Sequence, residues 1–185
     1  MKIVGLSGNP YINATNLKVL EKIGEELKLL GHEFEVLHAI KDFPLFNPQT
    51  EYQERYDIVN HTRDNIKDAD FVVITTPEYI GGVPAILKNA LEWMLSESTL
   101  IQKPVAYIVH SPIGDYAFEA LHRHLSIMGA NLKNEWKLLI SYDKRTQKKD
   151  GWFEDEDVNR QFKAFIKNID EYKYNNCLLY TSDAA

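Results

Sequence analysis

Small polar side chains follow the first apolar stretch of the chain and have the composition of an anion-binding turn. Residues 2–6 predict a short strand, and a helical pattern of apolar residues begins after residue 16. Between them stand five short polar side chains: Ser7, Asn9, Asn13, Thr15 and Asn16. Such groups and backbone N–H groups at a helix N-terminus suit a phosphate monoester, because the helix dipole favours negative charge. Simple capping of the helix by Asn13 or Thr15 explains the same residues equally well.

A second motif joins a strand, a glycine-containing turn and a helix over residues 71–95. The sequence FVVITT predicts a buried strand, and PEYIGG predicts a turn. Pro84 suits the first turn of the following helix, where a missing N–H is tolerated. Adjacent Gly81 and Gly82 leave backbone N–H groups open beside the helix N-terminus. This turn is suited to holding a flat, electron-rich ligand close to the main chain.

Regular alternation of strands and helices positions both motifs. Strands are predicted over residues 2–6, 33–40, 71–76, 105–110 and 136–142, and each is followed by a helical pattern. This alternation predicts an α/β fold, in which a doubly wound parallel sheet of five strands forms the middle of three layers. We expect the strand order 2-1-3-4-5. In such sheets ligands bind where the order reverses, here between strands one and three. Three loops meet there: residues 7–16, 77–84 and 111–116.

Composition narrows the class of protein. The 185 residues are 44% hydrophobic and 26% charged, which is typical of one globular domain. The net charge of −6 argues against a general nucleic-acid binder. No apolar run approaches the roughly 20 residues that cross a membrane. The N-terminus lacks a signal-peptide pattern, and the single cysteine excludes an internal disulfide framework. We expect a cytoplasmic location.

The last nine residues, CLLYTSDAA, continue no periodic pattern. They match the translation of a transposon-type sequencing adapter read through at the end of a fragment. We therefore expect residues 1–176 to form the ligand-binding domain and residues 177–185 to be a non-native tail, which is excluded from functional reasoning.

Both motifs together resemble the NADPH-dependent FMN reductase family. The resemblance rests on GLSGNP at residues 5–10, the long run TPEYIGGVPAILKNALEW at residues 76–93, and DFPLF at residues 42–46. In order and spacing it covers about residues 2–142, and the second motif is the most specific. It implies a flavodoxin-like fold and a flavin, quinone, azo-dye or chromate reductase.

The family's roles transfer to three sets of residues. The resemblance implies that the FMN phosphate is bound by Ser7, Asn9, Thr15 and Asn16. It implies that the isoalloxazine ring lies against Pro77, Glu78, Tyr79, Ile80 and Gly81. Ser111 and Gly114 of the third loop are then expected to border the ring and the ribityl chain.

The resemblance also implies the reaction. The flavin itself carries hydride transfer from NADPH or NADH, so no side chain is expected to be a catalytic acid or base. Electrons pass to a quinone, a free flavin or a similar small acceptor. The family commonly forms homodimers or homotetramers, and we expect helix faces beside Trp93 to supply the interface. No metal is expected: His122 and His124 stand two apart on a helix and face different ways.

This sequence departs from the family pattern at three places. Tyr11 stands where the family often has an Arg in the first loop, which leaves the phosphate to dipoles and neutral donors. Ile80 replaces an Asn after Pro-Glu-Tyr, so that a side-chain hydrogen bond near the flavin is lost. The paired glycines of the third loop become Gly114-Asp115-Tyr116, which affects the geometry for nicotinamide and acceptor.

Three other classes of protein share this topology. A flavodoxin-like electron carrier is one alternative, although the first loop lacks its clustered Ser/Thr-Gly-Thr pattern. A receiver domain needs carboxylates at the ends of strands one and three, where the chain has none. A flavin-free interaction domain is compatible with the missing Arg and Asn.

Overall fold

Five parallel strands form the central sheet of the structure. The computed structural model describes residues 1–11, 13–49, 51 and 56–182, without the side chains of residues 142 and 173–182. Within this part of the chain, the strands are β1 (Lys2–Ser7), β2 (Glu33–Val36), β3 (Phe71–Thr76), β4 (Val105–His110) and β5 (Lys137–Ile140). Their order is β2-β1-β3-β4-β5, with every neighbouring pair parallel. The predicted order is confirmed.

Helices cover both faces of the sheet. They are α1 (Thr15–Leu29), α2 (Asp57–Asp68), α3 (Ala85–Ser96), α4 (Asp115–Ile127) and α5 (Glu156–Ser182). Apolar side chains of α1 and α5 form one core cluster with the sheet, and those of α2, α3 and α4 form a second cluster on the opposite face. All residues of β3 and β4 are buried, because layers on both faces exclude water from the central strands. The predicted three-layer, doubly wound fold is confirmed.

The edge strands end earlier than the sequence pattern predicts. β2 stops at Val36 rather than at residue 40, and a 3₁₀ helix over His38–Asp42 follows it. This turn brings Ile40, which is 3% exposed, into the core cluster beneath α2 and α3. At the other edge, β5 keeps only four residues between the 3₁₀ helices Asn134–Trp136 and Tyr142–Arg145. An edge strand pairs on one side only, so local packing shortens it readily.

Helix boundaries also differ from the prediction. α1 begins at Thr15, inside the predicted polar turn. The weak apolar periodicity of residues 54–67 predicts the next helix from residue 54, whereas α2 begins at Asp57. Residues 54 and 55 of that predicted helix lie outside the described residues.

Trp93 of α3 is 1% exposed, and its indole N–H donates to the carbonyl of Pro44 at 2.8 Å. Trp93 is therefore part of the core, and the expected interface on helix faces beside it stays a prediction.

Two further features concern the end of the chain and its helices. α5 continues to Ser182 and therefore includes the first residues of the expected non-native tail, whose last three residues lie outside the described part of the chain. The origin of residues 177–185 stays a prediction. None of the described helices combines the length and the apolar character needed to cross a bilayer.

Candidate functional site

The three predicted loops lie together at the carboxyl edge of the sheet. The Gly8 N–H donates to the Thr75 carbonyl at 2.7 Å, which fixes the first loop beside the end of β3. A Cβ atom on Gly8 would collide with the Thr76 hydroxyl, so only glycine permits this approach. Glu78 joins the second loop to the first turn of α4, directly after the third loop, because its carboxylate accepts from the Ala117 N–H at 2.9 Å. The expected convergence of the loops is therefore present.

The N-terminus of α1 is free of side-chain caps. Ala14 is the N-cap residue, no side chain among the described residues caps the helix, and no acidic residue stands in its first turn. The structure thus does not use Asn13 or Thr15 as a cap, which was the alternative explanation of this polar turn. An uncapped first turn presents partly positive N–H groups, and it can accept a phosphate.

Side chains of the first loop shape the loop itself. The Ser7 hydroxyl accepts from the Asn9 N–H at 3.4 Å, and the Asn9 side-chain oxygen accepts from the Tyr11 N–H at 3.1 Å. Asn16 is 1% exposed, and its amide donates to the His110 carbonyl at 3.2 Å. Asn16 therefore ties α1 to the end of β4. Its backbone N–H, rather than its amide, is the group available to a phosphate.

The second loop contains a tight turn centred on Ile80 and Gly81. Their φ angles are 51° and 66°, and Tyr79 and Gly82 exchange N–H to carbonyl hydrogen bonds of 3.0 and 3.1 Å across it. Two positive φ angles in a two-residue connection define a type I′ turn. Asn tolerates this conformation, whereas a β-branched residue such as Ile80 is strained by about 1–2 kcal/mol. The Ile80 side chain is completely exposed.

Aromatic side chains flank this turn. Tyr79 is 43% exposed. Tyr116, predicted in the third loop, lies in the first turn of α4 and is 68% exposed. A Cβ atom on Gly81 would lie 4.0 Å from the Tyr116 ring, so the two loops face each other here. Pro77 and Ser111 are buried behind them. Gly114 packs so closely on β5 that a Cβ atom would lie 2.5 Å from Leu139, which gives this glycine a packing role.

His110 was not predicted to matter, yet it occupies a central position. It is 4% exposed at the end of β4, and its Nε2–H donates to the Arg145 carbonyl at 2.9 Å. Burial lowers the pKa of His110 below its ordinary value, so the ring is neutral near pH 7. The Nδ1 atom is then an acceptor, and it has no partner within the described part of the chain. A lone histidine at a strand end gave no sequence signal for this arrangement.

The residues present fit FMN at this edge. The uncapped first turn of α1 suits its phosphate, and the open type I′ turn with flanking tyrosines suits a flat ring. The Asn16 side-chain oxygen is a second buried acceptor that lacks a partner among the described residues. Both orphaned acceptors, Asn16 Oδ1 and His110 Nδ1, lie at the carboxyl edge of the sheet, one in the first turn of α1 and the other at the end of β4.

A sequence profile of the family described as NADPH-dependent FMN reductase matches residues 1–143. The chain belongs to this family. An NADPH azoreductase of Bacillus sp. (strain OY1-2) is 33% identical over 130 residues, which are 70% of each chain. A quinone reductase of Escherichia coli (strain K12) is 40% identical over 76 residues, 40% of each chain. The fold is shared with the flavoenzyme FerB, an NAD(P)H:(acceptor) oxidoreductase of Paracoccus denitrificans, at a TM-score of 0.73 and 24% identity over 92% of this chain and 95% of that chain.

Family membership confirms the class of protein that the motifs predicted. This FMN reductase family member is an oxidoreductase with FMN as its cofactor and NADPH or NADH as its electron donor. The match also favours an enzyme over a flavodoxin-like carrier or a flavin-free module. The individual residue roles, by contrast, remain predictions.

Proposed function

We propose that this FMN reductase family member oxidises NADPH or NADH and passes the electrons to a quinone, a free flavin or a similar small acceptor. One observation carries the proposal: the uncapped N-terminus of α1 and the glycine turn after β3 lie at the same edge, beside the reversal of strand order. Ligands of open α/β sheets bind at this position. The names of the azoreductase and quinone reductase relatives support the class of acceptor.

We assign phosphate binding to the first loop. Thr15 offers a hydroxyl and an N–H, and Asn16 offers an N–H, at the positive end of α1. Ser7 and Asn9 hold the loop in shape through their hydrogen bonds to backbone N–H groups. Within the first loop itself, the phosphate meets only dipoles and short polar groups, because Tyr11 supplies no charge.

We assign ring binding to the second and third loops. The hydrogen bonds across the turn use the N–H groups of Tyr79 and Gly82, which leaves those of Ile80 and Gly81 for the ligand. Pro77 and Ser111 form the floor, and Gly114 keeps the third loop close to β5. Glu78 is a positioning residue, since its carboxylate holds the two loops together.

FMN, when bound, supplies the two-electron redox chemistry. The chain orients its ring and controls access to it, and no side-chain acid or base is required. His110 is poorly placed to deliver protons, because its N–H is committed to the Arg145 carbonyl. Tyr79 and Tyr116 border the opening through which donor and acceptor reach the ring.

Matched glycine substitutions test this placement. Gly81 and Gly31 both have positive φ angles, 66° and 84°, and at neither position would an added Cβ atom lie closer than 4.0 Å to a neighbouring atom, but Gly31 ends α1 at the opposite edge. We expect Gly81→Val to abolish FMN binding in an equilibrium titration, while Gly31→Val costs comparable stability and leaves binding intact. Full FMN affinity in a folded Gly81→Val protein would contradict the assignment.

We also propose that the protein is a cytoplasmic homodimer or homotetramer. Exposed apolar side chains on neighbouring helices support the oligomer: Leu95 of α3 is 48% exposed and Ile127 of α4 is 70% exposed. The two residues border a shallow cavity of about 150 Å³. Light scattering should give a monomer mass for Ile127→Glu, whereas Leu29→Glu on α1, where Leu29 is 80% exposed, should keep the oligomer. A wild-type monomer would exclude this proposal.

A further inference from the structure

Residues 144–153, which we call the basic hairpin, form a hydrogen-bonded turn between β5 and α5. Gln147 and Phe153 pair as an antiparallel bridge, and the Lys148 N–H donates to the Trp152 carbonyl at 2.6 Å. The Gln147 amide donates to the Gly151 carbonyl at 2.8 Å. These bonds close the turn that carries Lys148 and Lys149.

The basic hairpin is docked against two elements of the fold. His110, at the end of β4, donates to the Arg145 carbonyl at 2.9 Å. Gly151 lies on the stem of Lys22 in α1, where a Cβ atom would be 3.1 Å from the Lys22 Cδ. The Lys22 ammonium also lies 4.8 Å from the centroid of the Trp152 ring. The hairpin is thus attached at one side to the sheet and at the other to α1.

A cleft of about 960 Å³ lies between α1 and the basic hairpin. Five cationic side chains line it, against three acidic ones: Lys18, Lys22, Arg145, Lys148 and Lys149, with Glu21, Glu25 and Asp150. The cleft therefore carries an excess of positive charge on a protein whose net charge is −6. Lys22 is paired with Glu25 and Glu26. Lys18, Lys148 and Lys149 are exposed and make no ion pair within residues 1–11, 13–49, 51 and 56–182.

The cleft opens beside the proposed phosphate site. Thr15, the first residue of α1, lines it, and so does His110 at the end of β4. Cavities of roughly 300–1,000 Å³ hold small organic ligands. The volume fits a nucleotide portion, and the positive lining selects an anionic one.

We propose that the basic hairpin and Lys18 bind the phosphate of a nucleotide used in the reaction. Two sources carry this chemistry: the 5′-phosphate of FMN, which lacks the family's usual Arg at Tyr11, and the 2′-phosphate of NADPH. The proposal rests on the proposed function. It assigns cationic phosphate contacts to residues outside the three ligand loops.

Charge-removing substitutions on the purified full chain test it. The variant combines Lys18→Gln, Lys148→Gln and Lys149→Gln, all at exposed positions. The control is Lys28→Gln, an exposed lysine of α1 that lies about ten residues, or about 15 Å, beyond Lys18. Equilibrium titrations compare FMN with riboflavin, and adenosine 2′,5′-bisphosphate with adenosine 5′-phosphate. Circular dichroism and thermal unfolding establish that each variant is folded.

We expect the triple substitution to lower the affinity for one phosphate-bearing ligand about tenfold or more, relative to the matched ligand that lacks this phosphate. The reason is that hydrogen bonds to charged groups are stronger than those between neutral groups. A selective loss of FMN affinity identifies the flavin 5′-phosphate as the group that the lysines bind. A selective loss of affinity for the bisphosphate identifies the 2′-phosphate of NADPH. The loss should shrink at high salt, and the control should show none. Unchanged affinities, or equal losses within both ligand pairs, would overturn the proposal.

Failure of the proposed function gives a different pattern. If the wild-type protein binds no flavin, and the triple variant binds the bisphosphate more weakly than wild type does, FMN binding is refuted. The cleft would then still be assigned to the 2′-phosphate of NADPH. A wild-type protein that binds none of the four ligands would refute both.

Discussion

The Glu78 carboxylate accepts a hydrogen bond from the Ala117 backbone N–H at 2.9 Å, across 39 residues of sequence. This contact places a negative charge at the N-terminus of α4, where the helix dipole stabilises it. It also joins the loop after β3 to the loop after β4. Glu78 therefore organises the edge of the sheet at which we place the ring.

Removing this contact should separate the two loops. Glu78→Ala is expected to lower the free energy of unfolding by about 1–2 kcal/mol, as loss of a helix cap does, and to weaken FMN binding about tenfold. Glu78→Gln, which keeps an acceptor oxygen, should lose less of both. Urea unfolding and flavin titration measure the two effects.

Asp155 provides the matched control for Glu78. It accepts from the N–H groups of Asp157 and Val158 at 3.0 and 2.9 Å, at the start of α5. Asp155→Ala should therefore destabilise the protein without changing FMN affinity. Equal effects of both substitutions on FMN would show that Glu78 acts through global stability alone.

Ile80 is strained by its positive φ of 51°, a conformation that Asn adopts more easily. We expect Ile80→Asn to raise the free energy of unfolding by about 1 kcal/mol and to retain FMN. The control is Ile113→Asn in the third loop, where φ is not positive and no gain is expected. Thermal unfolding measures both, and a destabilised Ile80→Asn protein would contradict the assigned strain.

Gly8 permits the first loop to lie on the end of β3. Gly8→Ala should cost about 1–3 kcal/mol, because its methyl group collides with the Thr76 side chain and the loop must move. FMN affinity should fall with it, since this loop holds the proposed phosphate site. Gly82→Ala meets no atom within 4 Å and should leave stability nearly unchanged. A stable, flavin-binding Gly8→Ala protein would place the phosphate elsewhere.

Burial of His110 predicts a dependence of stability on pH. Because burial lowers the folded-state pKa, the unfolded chain binds more protons once the pH falls below about 6.5. Wild type should therefore lose stability between pH 7 and pH 5. His110→Gln, whose amide can still donate to the Arg145 carbonyl, should lose less over the same interval. Identical pH profiles from urea unfolding would mean that His110 is not buried in its neutral form.

Patterns local in sequence predicted most of the fold. The alternation of strand and helix patterns was sufficient to predict the layers, the strand order and the meeting of the loops after β1, β3 and β4. The end of β2 was less predictable, because residues 37–40 suit a strand, whereas the structure forms a 3₁₀ helix over His38–Asp42 that buries Ile40.

Long-range contacts explain what the sequence did not reveal. Nothing near Glu78 indicates that its partner is the Ala117 N–H. The basic hairpin is polar along most of its length, and its order comes from docking on His110 and Lys22. Asn16 reads as a ligand by type, yet its amide is used to join α1 to β4.

The most direct test is oxidation of NADPH by the purified full chain, loaded with FMN and supplied with a quinone. We expect a yellow protein, and we expect NADPH to be consumed only in reactions that contain both the protein and the acceptor. Gly81→Val should lose both colour and turnover. A colourless protein that FMN does not stabilise, or a yellow protein that does not oxidise NADPH or NADH, would contradict the account.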